Sequence, residues 1–441
     1  MNFNELTGKV VTPSDKAYAV LRLEYNLAIN RFPLAIVYCY NSVDVSNAIK
    51  WCKKNEVGIR IRTGGHNYEG YSTGTDVLVI DTTYMNKIYI DTKSNAVKIQ
   101  AGSRLGDIYS KLAEHGYAFN GGTCPSVGIS GLVLGGGIGL SCRNFGLVTD
   151  DLLEIQLINE KGNIITANTH TNSQLFWACR GAGGGNFGVV TSYTFKLHKV
   201  KEVTLIQLSW NASSREKFFN LWQNWLKTLD RRISCFAGFG KKDIYMNGFF
   251  YGTKFEAEAI LKDFLLLSGL SKNSLIKYVP FIEAVQAIGS IYGPPNRFKS
   301  TGRFVYKNLS RKNIKKIIQY ADLGPGKNNC FIRLYSLGGA ISEMPNNYSA
   351  YYYRNAKYII GISSEWEKND NERLYTDWVS KVFKYVEPIT KGSYVNFPYS
   401  ELENYGYEYY GKNYYYLRKV KTIYDPLNIF KFPQSIKPNS L

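Results

Sequence analysis

The chain has 441 residues, 44% apolar and 20% charged, with a formal net charge of +19. That length allows two or three domains with large cores, and the composition excludes a disordered chain. No stretch approaches the run of about 20 apolar residues that spans a bilayer, and the first residues carry no basic-then-apolar leader, so a cytoplasmic location is the default expectation.

The 54 lysines and arginines are dispersed along the whole length. Their densest stretch, Lys307 to Lys316, reads as the solvated face of a helix opening at Ser310, and no nucleic-acid motif accompanies it. The seven cysteines form no C-x-x-C pair, so neither a disulfide framework nor a metal site is expected.

In chain order, residues 34–39, 57–65, 76–85 and 96–102 read as strands bounded by turn formers. Between them, 42–55 has helical periodicity with Ser42 as cap, and 104–116 is a second helix closed by Gly116. Glycine then becomes dense, with 15 of the chain's 40 falling between 121 and 188. Such density costs backbone entropy, so the backbone must approach something closely or bind it with bare N–H groups. From about 201 the texture changes. Runs 214–229 and 255–270 are amphipathic helices, interleaved with strand-like runs at 243–252 and 357–366. That pattern predicts a separate antiparallel sheet covered by helices. The last 45 or so residues are rich in tyrosine.

Three loops carry the chemistry. Arg62-Thr63-Gly64-Gly65-His66-Asn67 follows a strand, and its glycines form an N–H nest suited to phosphate oxygens, with His66 at its end. A second glycine-rich block, 121–165, carries Cys124. Its Gly135-Gly136-Gly137 run is not a dinucleotide fingerprint, because no strand leads directly into it and no acidic residue follows at the required distance. A third cluster, 177–197, leads into a strand. Together they suggest a large phosphate-bearing cofactor wrapped by backbone.

The order of GGH, then GTCPSVGISG, then RNFG, then GGGNFGVVT resembles the berberine bridge enzyme-like flavoproteins of the vanillyl-alcohol oxidase superfamily, as does the tail at 409–436. The resemblance implies an α+β, two-domain FAD-binding fold. Residues 1–200 and 397–441 would form the FAD domain, and 201–396 a substrate domain built on an antiparallel sheet covered by helices. It implies FAD linked covalently through His66 to the 8α-methyl carbon and through Cys124 to C6. Arg62, Thr63, Gly64, Gly65, Asn67, Val127, Gly128, Ser130, Gly131, Gly136, Gly137, Asn186, Gly188, Val189, Asn396, Tyr410 and Asn413 would serve the cofactor. Cys142 lies in a different motif and reads as a buried free thiol.

The activity so implied is oxidation of an alcohol-bearing small molecule, an oligosaccharide or a secondary metabolite, with O2 as electron acceptor. The small Val127 at the family's oxygen-access position resembles the oxidases; a dehydrogenase with another acceptor and a redox-inactive member stay open. No oligomeric state is implied. The chain departs from the family at the base. Phe397 stands where plant members place a proton-accepting tyrosine or histidine, and Ile359 and Ile360 stand near the position of the plant-type carboxylate. Tyr394 and Tyr68 are therefore the expected catalytic groups, with Arg354 and nearby lysines supplying positive charge. Tyr251, Tyr335 and Tyr351 to Tyr353 are candidates to line a substrate cleft.

Overall fold

The computed structural model describes residues 2–269 and 272–439. Its first layer is a four-stranded sheet in the order Lys9–Val11, Ala35–Tyr38, Val77–Asp81, Gly58–Arg62. The last three strands are mutually parallel. Parallel strands need crossovers, and the helix Ser42–Lys54 supplies one by burying Val45, Ala48, Ile49, Trp51 and Cys52. Its cap is Asn41, one residue before the expected Ser42: the Asn41 side-chain oxygen Oδ1 accepts from the amides of Val43 and Asp44. The second expected helix spans Leu105–Ala113, and Gly116, at φ +73°, turns the chain back.

A second, antiparallel sheet follows in the order Ile88–Asp91, Ala96–Gln100, Val189–Lys196, Leu152–Ile158, Ile164–Asn168. The glycine-rich loops run beside these two sheets. Close backbone passage explains two of the glycines. A Cβ on Gly64 would stand 2.4 Å from the Gly128 nitrogen, and one on Gly128 would stand 2.7 Å from the Gly64 nitrogen. Only two bare backbones can cross at that separation. That crossing brings the His66 loop onto the Cys124 loop.

The middle of the chain forms a seven-stranded antiparallel sheet, ordered Asn273–Pro280, Glu202–Asn211, Asp243–Phe250, Ile233–Phe239, Cys330–Ser336, Tyr358–Trp366, Arg297–Val305. Helices Arg215–Trp225, Lys254–Ser268, Arg311–Asp322 and Glu372–Val386 pack on it or on one another. The run expected to be helical over 255–270 is helical to Ser268, and its residue 270 lies outside those described. Ser310 caps the basic helix as expected, its hydroxyl accepting from the Asn313 amide. Strand alternation separates the two faces: Ile332 and Leu334 are fully buried, while Phe331, Arg333 and Tyr335 line a cavity.

The tail forms helices Tyr405–Tyr410 and Asn413–Tyr424 and returns to the glycine-rich loops. The Tyr410 hydroxyl donates to the Ala182 carbonyl at 2.7 Å, and the Ile436 amide donates to the Asn186 side chain at 2.9 Å. Lys421 is the strongest tie. Its ammonium, wholly buried, donates to the carbonyls of Asn186 and Phe430 and to the Asp425 carboxylate at 2.6–2.7 Å. The tail also touches the middle unit, where the Asn413 amide donates to the carbonyls of Asn346 and Ser349. Among the described residues no helix is long and apolar enough to cross a membrane.

Candidate active site

A cavity of about 930 Å³ lies between the glycine-rich loops and the open face of the seven-stranded sheet. Cofactor sites are commonly concave and apolar with a few placed polar groups, and this one is large enough for an extended molecule.

His66 and Cys124 both line it and converge on one hydroxyl. Ser126 Oγ is 3.1 Å from His66 Nε2 and 3.4 Å from Cys124 Sγ. The His66 ring stacks on Tyr25, with centroids 4.0 Å apart and planes 21° apart. Tyr25 is itself fixed by its hydroxyl on the Gly293 carbonyl and its amide on the Gly65 carbonyl, each at 2.9 Å. Burial, helped by the Arg104 charge, pulls the His66 imidazole down to about 4, so it is neutral near pH 7.

Of the expected cofactor residues, Thr63, Gly64, Gly65, Asn67, Val127, Gly128, Ser130, Gly131, Gly188 and Asn396 line the cavity with His66 and Cys124. Asn67 also holds its own turn, its side-chain oxygen accepting from the amides of Glu69 and Tyr71.

The others stand behind the wall. Arg62 does not reach the cavity, because its guanidinium is buried against Asp81, with Nε to carboxylate oxygen at 2.6 Å. Asp81 lies directly across from Arg62 in the parallel register. On this strand the arginine that lines the cavity is Arg60. Gly137 donates its amide to Tyr394 at 3.1 Å, and Gly136 packs against the Tyr351 ring. Asn186, Tyr410 and Asn413 are the loop-to-tail and tail-to-middle ties described above, and Val189 is core.

The two expected catalytic tyrosines differ in setting. Tyr68 lines the cavity and stacks on Phe397, with centroids 5.4 Å apart and planes 12° apart. Burial raises its phenol well above the usual value, and the Arg333 charge acts in the opposite sense. Tyr394 also lines the cavity, but its oxygen accepts from the Gly137 amide and from the Asn396 side-chain amide, each at 3.1 Å. Burial raises its phenol too.

Arg354 is not the charge that faces these phenols, since it forms a buried two-pronged pair with Asp150 at 2.7 and 2.9 Å. Arg333 takes that place beside Tyr68. Ile359 and Ile360 hold no carboxylate, as expected, but the strand Tyr358–Trp366 brings one to the cavity further along: Glu365 lies four residues beyond Gly361 on the cavity-facing parity. Counting alternate residues outward from Ile359 would have found it. Tyr335 lines the cavity as expected, whereas Tyr351 and Tyr353 are buried in a neighbouring core and Tyr251 bonds to Ser141. Cys142 is fully buried, as expected of a free thiol.

The cavity wall fits an extended phosphate-bearing cofactor. Arg60 Nε and Tyr71 Oη are buried, line the cavity and have no hydrogen-bond partner. A Cβ built on Gly131 would meet nothing within 4 Å, so that stretch of wall is open for a ligand.

Comparison with known proteins bears on the same groups. The family profile for an FAD binding domain matches residues 33–168, and that described as berberine and berberine like matches residues 393–437. The FAD-linked oxidoreductase YgaK of Bacillus subtilis (strain 168) is 38% identical over 99% of this chain and 98% of its own length. The chain belongs to the berberine bridge enzyme-like family of FAD-linked oxidoreductases. Reticuline oxidase of Eschscholzia californica is 28% identical over 92% of this chain and 83% of its own length. Among solved structures, Physcomitrella patens BBE-like 1 superposes with a TM-score of 0.94 at 30% identity, covering 99% of this chain and 98% of its own. Berberine bridge enzyme from Eschscholzia californica gives 0.90 at 25% identity, covering 100% and 98%. The fold is therefore the mixed helix and antiparallel-sheet FAD-binding fold of this family, and the protein is an FAD-dependent oxidoreductase.

Proposed function

We propose that this family member is an oxidase whose FAD is held by two covalent bonds, from His66 and Cys124, and that it oxidises the alcohol of a small molecule and delivers the electrons to O2. The observation that carries this reading is the convergence of His66 Nε2 and Cys124 Sγ on Ser126 Oγ at one edge of the cavity. A neutral imidazole and a thiol, presented together beside an open wall, are the two nucleophiles such attachment requires.

When bound, FAD supplies the two-electron acceptor for the substrate and the site at which oxygen is reduced. The protein's contribution is placement and proton handling. Thr63, Gly64, Gly65 and Asn67 would hold the phosphates, with Arg60 as the nearby positive charge, and Gly128, Ser130, Gly131, Gly188 and Asn396 the remainder of the cofactor. Residues 1–200 and 397–441 form the cofactor unit in this reading, and residues 201–396 the substrate unit.

We assign proton acceptance from the substrate hydroxyl to Tyr68. The base must act as a phenolate, and the Tyr394 oxygen, although its two N–H donors favour that form, is already turned onto the Gly137 loop and Asn396. Tyr394 would then fix the Gly137 loop and Asn396. Tyr68 presents its ring to the cavity with Arg333 favouring its ionised form. A positioned base of this kind contributes roughly 10²–10⁴-fold to rate.

Val127 lines the same cavity and leaves room for oxygen. Rapid mixing of the reduced enzyme with aerated buffer tests the oxidase reading. Fast reoxidation with stoichiometric peroxide is the expected result, and Val127→Ile should slow it. Reoxidation by a quinone dye but not by oxygen would make the protein a dehydrogenase.

A further inference from the structure

The open face of the seven-stranded sheet carries a built hollow around Arg333. Arg333 lies opposite Gly238 on one neighbouring strand and Gly361 on the other. Side chains at those positions would collide with the tyrosines that flank the guanidinium. A Cβ on Gly238 would stand 2.5 Å from Tyr245 Oη, and one on Gly361 would stand 3.0 Å from the Tyr335 ring. Two tyrosines thus lean over the glycines on either side of the guanidinium, and all three side chains line the cavity.

Arg333 is only partly satisfied there. Its Nη2 donates to Glu365 at 3.2 Å, while Nε is buried with no partner. The other Glu365 oxygen accepts from the Asn296 side-chain amide at 3.2 Å. The hollow adjoins the covalent edge of the site, since Tyr25, Tyr68 and Tyr292 each lie within electrostatic reach of both Cys124 and Arg333.

The pairing determines what such a hollow can bind. A bare arginine would attract a carboxylate, but here Glu365 stands beside it and Glu367 also lines the cavity, so an acid would meet like charge. An unsubstituted aromatic alcohol would leave the buried Nε without a partner, which is costly. Hydroxyl groups both donate and accept, and adjacent hydroxyls match an adjacent donor and acceptor such as Arg333 and Glu365. We propose that the Arg333–Glu365 pair is the specificity-determining subsite of this enzyme and that it takes the hydroxyl pair of a neutral sugar ring. The assignment rests on the oxidoreductase reading above and narrows its substrate class.

The holoenzyme tests it by anaerobic flavin bleaching with glucose, lactose, cellobiose, glucuronate and benzyl alcohol, with dithionite as control. A neutral sugar should bleach the flavin with saturation at lower concentration than glucuronate or benzyl alcohol. R333M and E365Q should each raise the half-saturating sugar concentration by about tenfold or more, the usual scale for losing a charge-assisted hydrogen bond. E365Q should also narrow the gap between glucuronate and the neutral sugars. R333K, which keeps the charge without the planar fork, should fall between R333M and the parent, and it serves if R333M does not fold.

Preference for glucuronate or benzyl alcohol overturns the proposal, as does an unchanged half-saturation in folded R333M and E365Q. Bleaching by dithionite but by no sugar also overturns it while leaving the FAD oxidoreductase reading intact. Absence of a dithionite-reducible flavin would instead defeat that underlying reading.

Discussion

His66 and Cys124 meet at a single hydroxyl: Ser126 Oγ is 3.1 Å from one and 3.4 Å from the other. The meeting depends on the crossing of two loops at Gly64 and Gly128, where neither position has room for a side chain. A covalent double attachment needs that crossing to be held within a fraction of an ångström.

Gly64→Ala should therefore separate the loops. Overpacking against backbone costs about 1–3 kcal/mol or more, and thermal unfolding should show the loss. Flavin content, read from the ratio of visible to ultraviolet absorbance, should fall as well. Gly116→Ala gives a contrast, because a Cβ there meets nothing within 4 Å and only the φ of +73° opposes it. It should cost about 1 kcal/mol and leave flavin content unchanged.

The depressed His66 imidazole, down to about 4, has a pH consequence in the flavin-free protein. Its unfolded value is near 6.5, so between about pH 6.5 and 4 the unfolded chain binds the proton and the folded one does not. Stability contributed by this group is present above that window and is lost as pH falls through it. Urea unfolding at pH 7.5 and 4.5 should show the parent losing about 1–3 kcal/mol more than His66→Ala. An equal loss in both would contradict the assignment.

Tyr68→Phe should slow anaerobic flavin reduction by roughly 10²–10⁴-fold and remove one ionisation from its pH profile. Reoxidation by O2, which follows substrate chemistry, should change little. Tyr394→Phe should have the smaller effect on reduction. The reverse order would return the base to Tyr394.

Lys421 holds the tail to the glycine-rich loops from a fully buried position, paired with Asp425 and two carbonyls. Removing one partner of a buried pair leaves the other charge stranded, at a cost of about 3–5 kcal/mol. Asp425→Ala should show that loss in denaturant unfolding. The double change Lys421→Met with Asp425→Leu should be less destabilising than Asp425→Ala alone.

Much of the cavity wall on the cofactor side was legible in the chain, because close backbone passage leaves glycines, and the loops carrying His66 and Cys124 do meet at its edge. What escaped were choices that depend on partners. Arg62 and Arg60 look equivalent in sequence, and only the register of Arg62 against Asp81 turns the former inward. Arg354 and Arg333 are likewise indistinguishable until Asp150 claims the first. Glu365 stands away from the position where the family resemblance puts a carboxylate, and only strand parity brings it to the cavity. Tyr25 stacks on His66 from a segment with no motif of its own.

Retention of the chromophore after unfolding tests the central claim most directly. The purified yellow protein would be denatured in acid, precipitated and digested with trypsin, and its flavin-bearing peptides mapped by mass. Double attachment predicts that all visible colour stays with the polypeptide. One flavin should join the peptides containing His66 and Cys124, and His66→Ala and Cys124→Ala should each leave it on the remaining residue. Release of free FAD into the supernatant, or flavin bound to any other residue, would contradict the account.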